Sequence, residues 1–491
     1  MKAIEIPKEI QFVVEQFKKA SFEAYIVGGC VRDILREIEP QDWDVATNAK
    51  PEEIGKIFLH SFSDNKFGTV VVLTCSENEK LKKIEITPFR IDEKYSDKRH
   101  PDKIRWAKTI EEDLARRDFT INAIAIDIYD KKFKIIDPFE GQKDLKNKII
   151  RAVGEPEKRF SEDALRLMRA IRFAVTLTKK IWQIEEKTSQ AIKKNVKLLN
   201  FISKERIRDE FLKIINSLNG AKGIEILRRF GLFKHIIPEL EEGFSIWQNK
   251  HHIYQVYQHL LLSLNYACQN NFPIEVRLAS LFHDIGKPRT KQGEGPDSTF
   301  YNHEIVSAKM TEKILNRLKF PKKDVEKITK LVRYHLFYYN VGEVGDSSVR
   351  RLLRKVSQED FEKLLEVRMA DRIGSGVPKA EPYKLRHLKY VAEKVSQDPI
   401  SVKMLKINGN DVIKILNISP SPKVGQVLIY LLSSVLSEPS KNKREILEKE
   451  IKKLDKLSDE KLKELVQKAK EEIEKIETKR DEMTKKKYWI T

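Results

Sequence analysis

The chain has 491 residues, of which 40% are apolar, so it is long enough for roughly three domains of about 150 residues and too long for a single core. Lys and Arg number 94 against 74 Asp and Glu, and the resulting net charge of +20 indicates a polyanionic partner such as nucleic acid, or else a Lys- and Glu-rich thermophilic protein. Three widely spaced cysteines (Cys30, Cys75 and Cys268) exclude a disulfide scaffold and a zinc ribbon.

The sequence contains no apolar stretch of the ~18 residues that a membrane-spanning helix needs. The first seven residues, Met1 to Pro7, do not form the apolar run typical of a signal peptide. We therefore expect a cytoplasmic enzyme or RNA-binding protein that has no membrane partner. The composition gives no indication of the oligomeric state.

The pattern of apolar residues predicts an α+β protein with a small mixed α/β head and a long, mostly helical body. Within residues 1–145, helices are predicted at 1–20, 31–37 and 51–58, and strands at 22–27, 42–46, 69–74, 83–87, 121–127 and 133–136. From Ser161 to about Leu457 nearly every segment has helical periodicity, interrupted by Gly and Pro. Residues 440–487 are rich in Lys and Glu and are typical of a solvated pair of amphipathic helices.

Two carboxylates stand close together in one predicted strand. The two-residue period of a strand would place Asp42 and Asp44 on the same face. Such carboxylates are the oxygen ligands that Mg²⁺ prefers, and a pair of these ions can assist nucleotidyl transfer. Alone, an Asp-x-Asp pair is more often an ordinary surface feature.

A glycine turn precedes the acidic pair. Gly28 and Gly29 lie between a predicted strand and a predicted helix, where backbone N–H groups can approach a triphosphate. Arg32 at the start of that helix can add a guanidinium group to the phosphates. An ordinary strand-to-helix turn would explain the glycines alone, but the turn, Arg32 and both carboxylates fall within 17 residues (28 to 44).

At these residues the sequence resembles the class II tRNA nucleotidyltransferases and the bacterial poly(A) polymerases. Gly28-Gly29-Cys-Val-Arg32-Asp and Asp42-Trp-Asp44 are followed in the family's order by three further motifs, at 116–123, 162–173 and 203–210. The resemblance implies that Arg117 holds nucleotide phosphates and that the 162–173 motif recognises the incoming base. One departure is Arg36-Glu37, where members usually carry a glycine after the first helix.

The base-recognition motif has a geometry of its own. We expect a helix over 161–175 that starts at Ser161, so that Asp163 and Arg166 are neighbours on its surface and present an acceptor beside donors, like the edge of a base. Arg169 continues this row, whereas Arg172 lies on the opposite side, and these two residues would reach phosphates or brace the helix. Without the resemblance, an ordinary surface salt bridge would explain the first pair.

The activity within the family depends on a loop. Arg90 to Pro101 resembles the flexible loop of CCA-adding and A-adding enzymes, and Phe67 to Val70 also resembles the tRNA enzymes. The first hypothesis is therefore CCA addition to tRNA from CTP and ATP, followed by A addition alone and then by poly(A) synthesis. The charged loop could also be an ordinary solvated connection.

Histidines are concentrated between residues 235 and 335. His283-Asp284-Ile-Gly resembles the signature of the HD-type metal phosphohydrolases, and the resemblance implies His259 and Asp371 as further ligands, with His303 and His335 able to enlarge the set. Imidazole and carboxylate ligands together suit a transition metal such as Ni²⁺, Co²⁺ or Mn²⁺. The alternative is a degenerate HD fold retained as an RNA-binding scaffold.

The sequence thus predicts four domains: a nucleotidyltransferase head with a polymerase-β-like palm (1–145), a base- and RNA-binding neck (146–240), an HD-type domain (250–375) and a tRNA-binding tail (376–491). Asp42 and Asp44 would hold Mg²⁺ in two-metal nucleotidyl transfer, with Glu85 as a candidate third carboxylate. Two alternatives are an RNA-binding module with a vestigial head and a stand-alone phosphohydrolase. The latter does not account for the first 240 residues.

Overall fold

The computed structural model describes residues 6–63, 68–93, 103–129, 132–249, 253–396 and 401–490. The chain divides into two compact units. The first contains residues 1–336 and 363–380, and the second contains residues 337–362 and 381–491. Among the described residues, no helix combines the length and the apolar character that crossing a bilayer requires.

The strands all lie in the first unit. They are β1 (Ala24–Val27), β2 (Asp44–Thr47), β3 (Ser61–Ser63), β4 (Val70–Leu73), β5 (Lys83–Pro88), β6 (Arg90–Glu93), β7 (Lys103–Trp106), β8 (Ala125–Tyr129), β9 (Lys132–Ile136), β10 (Ile149–Ile150) and β11 (Gln183–Ile184). The described residues form a seven-stranded sheet in the order β3-β4-β5-β2-β1-β8-β9, in which β2 and β5 run parallel and the other neighbours antiparallel. The strands β6 and β7 form an antiparallel hairpin, and β10 pairs with β11.

Helices surround this sheet and build the rest of the first unit. They are α1 (Lys8–Lys19), α2 (Gly29–Leu35), α3 (Pro51–Ile57), α4 (Ile110–Ala115), α5 (Gly141–Asn147), α6 (Pro156–Glu162), α7 (Arg166–Thr176), α8 (Glu186–Asn195), α9 (Lys204–Ile215), α10 (Gly220–Arg229), α11 (Phe233–Ile236), α12 (Val256–Gln269), α13 (Ile274–Phe282), α14 (Lys287–Thr290), α15 (His303–Arg317) and α16 (Lys322–Tyr334). The fold class, a mixed α/β head followed by a helical body, is confirmed.

The remaining helices continue to the end of the chain. They are α17 (Asp346–Val356), α18 (Gln358–Gly374), α19 (Tyr383–Ser396), α20 (Gly409–Leu416), α21 (Pro422–Ser437), α22 (Arg444–Asp455) and α23 (Asp459–Lys487). In the second unit, α22 and α23 are the predicted amphipathic pair, because Leu447, Ile451 and Leu462 are buried in its core while their Lys and Glu residues face solvent.

The head core forms between one face of the sheet and the apolar face of α1. Ile10, Val13 and Phe17 recur at helical spacing on α1 and are fully buried in the same cluster as Ile26 of β1 and Val45 of β2. Phe17 packs against Phe58 with ring centroids 5.3 Å apart. This packing fixes the central strands β1 and β2, whose ends carry the predicted catalytic residues.

Two local predictions were wrong. The strand that was expected to contain both carboxylates begins only at Asp44. Trp43, just before it, is buried in the core, and Asp42 lies outside the strand and is exposed. The helix expected over 161–175 is broken at Asp163, which has an extended backbone (φ −135°, ψ 103°) between α6 and α7. There the Asp163 side chain accepts a hydrogen bond from the Leu165 N–H (3.1 Å), and this local bond replaces a helical one.

Candidate functional site

The glycine turn brings together two residues that are distant in sequence. Gly28 joins β1 to α2 with φ +81°, in the left-handed region that favours glycine. A Cβ atom there would lie 2.8 Å from Nη1 of Arg117 and 3.5 Å from Oδ2 of Asp44. The backbone conformation therefore favours glycine, and any other residue would also displace the Arg117 guanidinium.

The acidic residues form a group of like charges. Burial raises the pKa of Asp44, and the charge of Asp42 raises it further, while Arg117 opposes both effects. The parallel register pairs Asp44 with Glu85 of β5, so their side chains lie on the same side of the sheet. Neighbouring carboxylate oxygens are a donor set that fits a divalent cation such as Mg²⁺.

A second set of polar residues, beginning at Arg32 of α2, is connected by hydrogen bonds. Arg32 donates to Asn122 (2.8 Å), Asn122 donates to Asp118 (3.0 Å), and Arg169 of α7 pairs with Asp118 (2.5 Å). Asp118 is buried, which by itself would raise its pKa, but Arg169 and Asn122 hold that pKa well below its ordinary value. The head residue Arg32 and the neck residue Arg169 are thus connected through two motif residues, Asn122 and Asp118.

Arg117 is held by a second acidic residue. Asp113 of α4 accepts from Arg117 (3.1 Å) and from Arg116 (2.7 Å). This buried carboxylate keeps the Arg117 guanidinium beside Gly28, where the predicted nucleotide phosphates would lie.

The side chains of the two predicted base-recognition residues have different partners. Asp163 accepts two hydrogen bonds from Arg206 of α9 (2.8 and 3.2 Å), whereas Arg166 pairs with Glu162 (2.9 Å) and donates to the carbonyl of Arg116 (3.1 Å). The backbones remain adjacent, because the Arg166 N–H donates to the Asp163 carbonyl (3.0 Å). A role for either residue in base recognition stays a prediction.

The two remaining arginines of this motif brace α7. Arg169 pairs with Asp118, and Arg172 donates to the buried Glu210 of α9 (2.6 Å) while stacking on the ring of Phe173 at 3.9 Å. Burial and the neighbouring Arg169 lower the pKa of Arg172. Contact with nucleotide phosphates stays a prediction for both arginines.

The four predicted HD ligands lie together in the first unit. His259 of α12 and His283 have their Nε2 atoms 2.8 Å apart, and the Nε2 atom of His259 lies 3.2 Å from Asp284 and 3.4 Å from Asp371. All four side chains are buried, and their ligand atoms lie within 4.8 Å of one another.

Asp284 also belongs to a second group of ligands. Its Oδ1 atom lies 3.2 Å from Nε2 of His303 and 3.5 Å from Nε2 of His335. Both imidazoles donate through Nδ1–H to a backbone carbonyl 2.7 Å away, that of Phe300 for His303 and that of Val332 for His335, so their Nε2 atoms face the cluster.

The electrostatics of this cluster fit a bound cation. Burial opposes protonation of His283, but Asp284 and Asp371 raise its pKa to about 10. Among the described residues, Asp284 Oδ1 is a buried oxygen with no hydrogen-bond donor. The mixed nitrogen and oxygen donors suit Mn²⁺, Co²⁺ or Ni²⁺ better than Mg²⁺.

A cavity of about 730 Å³ opens onto the cluster, with Asp284, His303, His335 and Asp371 in its wall. Cationic residues also line it. Lys287 lies 2.6 Å from Asp284, and Arg368 pairs with the second oxygen of Asp371 (2.7 Å). Sequence reasoning missed both cations, although each lies one helical turn (three residues) from a predicted ligand.

Only part of the loop predicted at Arg90 to Pro101 lies within the described residues. Arg90 to Glu93 form β6, while Tyr95 to Arg99, like Phe67, lie outside the described residues.

Three family models match the chain in succession. They are the Poly A polymerase head domain at residues 24–151, the probable RNA and SrmB-binding site of polymerase A at 182–244, and the HD domain at 250–374. Their order agrees with the resemblance found in the sequence.

Solved structures share the fold. The crystal structure of the Bacillus stearothermophilus CCA-adding enzyme in complex with CTP has a TM-score of 0.54 and 27% identity, and the match covers 91% of this chain and 98% of that one. The Thermotoga maritima CCA-adding enzyme complexed with tRNA has a TM-score of 0.51 at 21% identity over 91% of this chain and 96% of that one, a likeness of fold alone.

Relatives identify the family. The CCA-adding enzyme of Lactobacillus helveticus is 44% identical over 252 residues, which are 51% of this chain and 58% of that enzyme. In this match the chain therefore spans less than two thirds of the relative's length. The CCA-adding enzyme of Enterococcus faecalis is 32% identical over 461 residues, 91% of this chain and 97% of that enzyme. Because this second match extends along almost the whole of both proteins, the chain belongs to the family of CCA-adding enzymes.

Proposed function

We propose that this protein adds CCA to the 3′ end of tRNA, using CTP and ATP and releasing pyrophosphate. The observation that carries the proposal is the convergence of Asp44 and Arg117 at Gly28, in a chain whose relative of known structure holds CTP. The four domains with their boundaries at 1–145, 146–240, 250–375 and 376–491, and a cytoplasmic location, belong to the same proposal.

In the proposed reaction the tRNA 3′-OH attacks the α-phosphate of the nucleotide. Asp42 and Asp44 would hold Mg²⁺, which when bound would supply the positive charge that stabilises the transition state. Arg117, fixed by Asp113, and Arg32, fixed by Asn122, bind the phosphates, and Gly28 leaves room for them.

The alternatives differ in what is added. A addition alone and poly(A) synthesis use the same head chemistry, and the loop that distinguishes them in the sequence falls mostly outside the described residues. An RNA-binding module with a vestigial head has no use for the close approach of Asp44 and Arg117 at a glycine, which favours an enzyme.

Three tRNA transcripts distinguish these activities. They end at the discriminator base, at C and at CC, and each is incubated with labelled CTP or ATP. We expect CTP to extend the first two transcripts and ATP to extend the third. Extension of the CC-ended transcript alone would establish A addition, and long A tracts on unrelated RNA would establish poly(A) synthesis.

A basic surface of the neck supports RNA as the partner. Lys197, Lys204 and Lys234 surround His235, whose pKa is lowered by partial burial and by these three charges. Within the described part of the chain, none of the three lysines forms an ion pair, and the neighbouring Phe201 is 66% exposed. Unpaired cations beside an exposed aromatic ring are typical of a nucleic-acid surface.

Replacing Lys197, Lys204 and Lys234 together by Ala should weaken tRNA binding and reduce its salt dependence. Each lost phosphate contact lowers the slope of log K against log salt by about 0.9, so the slope should fall by roughly 2 to 3. Fluorescence anisotropy between about 50 and 200 mM salt measures it. The matched control replaces Lys80, Lys82 and Lys143, which are paired with Glu39, Glu79 and Glu140. An equal loss in both triple variants would contradict a specific surface.

The HD cluster supports a second activity, metal-dependent hydrolysis of a phosphoester. Mn²⁺, Co²⁺ or Ni²⁺ held by His259, His283, Asp284 and Asp371 would supply an activated water when bound. Lys287 and Arg368 in the cavity wall then face an anionic substrate. A degenerate scaffold would not need buried ligands that all converge, and this observation favours an intact site.

A further inference from the structure

The turn after α2, at Arg36 and Glu37, is made without a glycine. Glu37 adopts φ +57°, and the turn is closed by the Glu37 and Ile38 N–H groups, which donate to the carbonyls of Ile34 and Asp33 (both 2.9 Å). A left-handed backbone is unfavourable for Glu, so the sequence tolerates strain here.

The Arg36 side chain crosses from the head to the neck. It is only 13% exposed, pairs with Asp33 (3.1 Å) and donates to the carbonyl of Leu177, which ends α7. Its guanidinium also lies 5.8 Å from the ring centroid of Trp182. The last carbonyls of a helix lack partners and carry partial negative charge, so a cation from another element stabilises this end of α7.

Arg36 is also linked to the candidate active site. Asp33 accepts from both Arg36 and Arg32, and Arg32 continues to Asn122, Asp118 and Arg169. Helix α7 is thus attached to the head near its start, through Arg166 and Arg169, and again at its end, at Leu177, which lies eight residues or about 12 Å beyond Arg169. Attachments near the start alone would leave the far end free to turn, whereas the contact at Leu177 fixes the direction of the helix.

We propose that Arg36 is a positioning residue that caps α7 from the head and thereby sets the direction of this helix relative to Arg32, which shares Asp33 with Arg36. The inference rests on the proposed nucleotidyl transfer, in which one side of the site binds phosphates and the other the base. Arg36 itself contacts neither. Its removal should let the end of α7 turn about the attachments at Arg166 and Arg169.

Arg36→Ala should raise the KM for both CTP and ATP by about tenfold, the usual effect of losing one charge-assisted hydrogen bond, with kcat changed by less than about threefold. Arg36→Lys should recover part of the loss, because an ammonium group can still cap the helix. The measurement uses transcripts ending at C and at CC. Hydrogen exchange of the amides at 174–177 should become about tenfold faster in Arg36→Ala.

The matched control is Arg317→Ala. Arg317 also joins a carboxylate and a carbonyl, those of Glu239 and Ile236, but on α15. Its KM values should equal those of the wild type. A lower kcat with unchanged KM in Arg36→Ala would indicate lost folded protein and would overturn the proposal, as would unchanged exchange. If the wild type adds no nucleotide, the proposed function fails, and exchange at α7 still tests the cap.

Discussion

Replacing Asp44 by Asn should abolish nucleotide incorporation, lowering the rate by at least about 10³-fold, while tRNA binding persists. Asn has the shape of Asp but no charge, and losing one ligand of the catalytic cation costs several kcal/mol of transition-state stabilisation. Asp44 is partly buried beside Asp42 and Arg117, so an anion from solution cannot take the place of the lost carboxylate. Incorporation of labelled CTP into a transcript lacking CCA measures the rate, and filter binding measures tRNA affinity.

The same loss is expected for Asp42→Asn. Its matched control is Asp127→Asn, which removes a carboxylate of β8 in the same sheet that pairs with Lys18 (2.7 Å). This variant should retain incorporation within about twofold, because Asp127 is paired with Lys18 and contacts none of the proposed catalytic residues. Near-normal incorporation by both the Asp42 and the Asp44 variants would overturn the assignment of the head as the catalytic domain.

Asp284→Ala should remove phosphoester hydrolysis at the HD cluster by more than about 10³-fold and leave CCA addition intact. Asp284 contacts ligands of both groups, so its loss affects the whole cluster, whereas His303→Ala affects only one group. Hydrolysis of p-nitrophenyl phosphate with added Mn²⁺, Co²⁺ or Ni²⁺ provides the rate. Calorimetry of the metal alone should detect binding to the wild type and its absence in Asp284→Ala.

Two comparisons make this test specific. Asp324→Asn changes a partly exposed carboxylate of α16 outside the cluster and should hydrolyse normally. Prior treatment with a chelator should remove hydrolysis in the wild type, and added Mn²⁺, Co²⁺ or Ni²⁺ should restore it. Failure to hydrolyse with all three metals would instead favour the degenerate scaffold.

Short motifs predicted the parts of the site that depend on local chemistry. Gly28 needs its left-handed backbone, and His283-Asp284 has a fixed spacing, so both were recognisable in the sequence. The ligands His259 and Asp371 are 24 and 87 residues from His283 and Asp284, and only the resemblance connected them. The α+β architecture followed from the spacing of apolar residues, which is helical in nearly every segment from Ser161 onward.

The continuous helix predicted over 161–175 was wrong at Asp163, because its side chain makes other interactions. The apolar period continues across residues 161–175, but the Asp163 carboxylate bonds to the Leu165 amide and to Arg206, which is 43 residues away. Neither the break nor the partner has a signal in the periodicity. The hairpin β6–β7 was also missed, because each strand has only four residues and Arg90 to Glu93 contain a single apolar residue, Ile91.

The sheet order also governs how the head forms during synthesis. The central strand β1 pairs with β8 in a register that joins Ile26 to Ile126, one hundred residues later. A ribosome adds about 5 to 20 residues per second, so β1 waits roughly 5 to 20 s for this partner. During that interval one edge of β1 has no strand beside it. Such an unpaired edge favours aggregation, so we expect substitutions that weaken the pairing of β8, which carries no predicted catalytic residue, to lower the yield of folded enzyme.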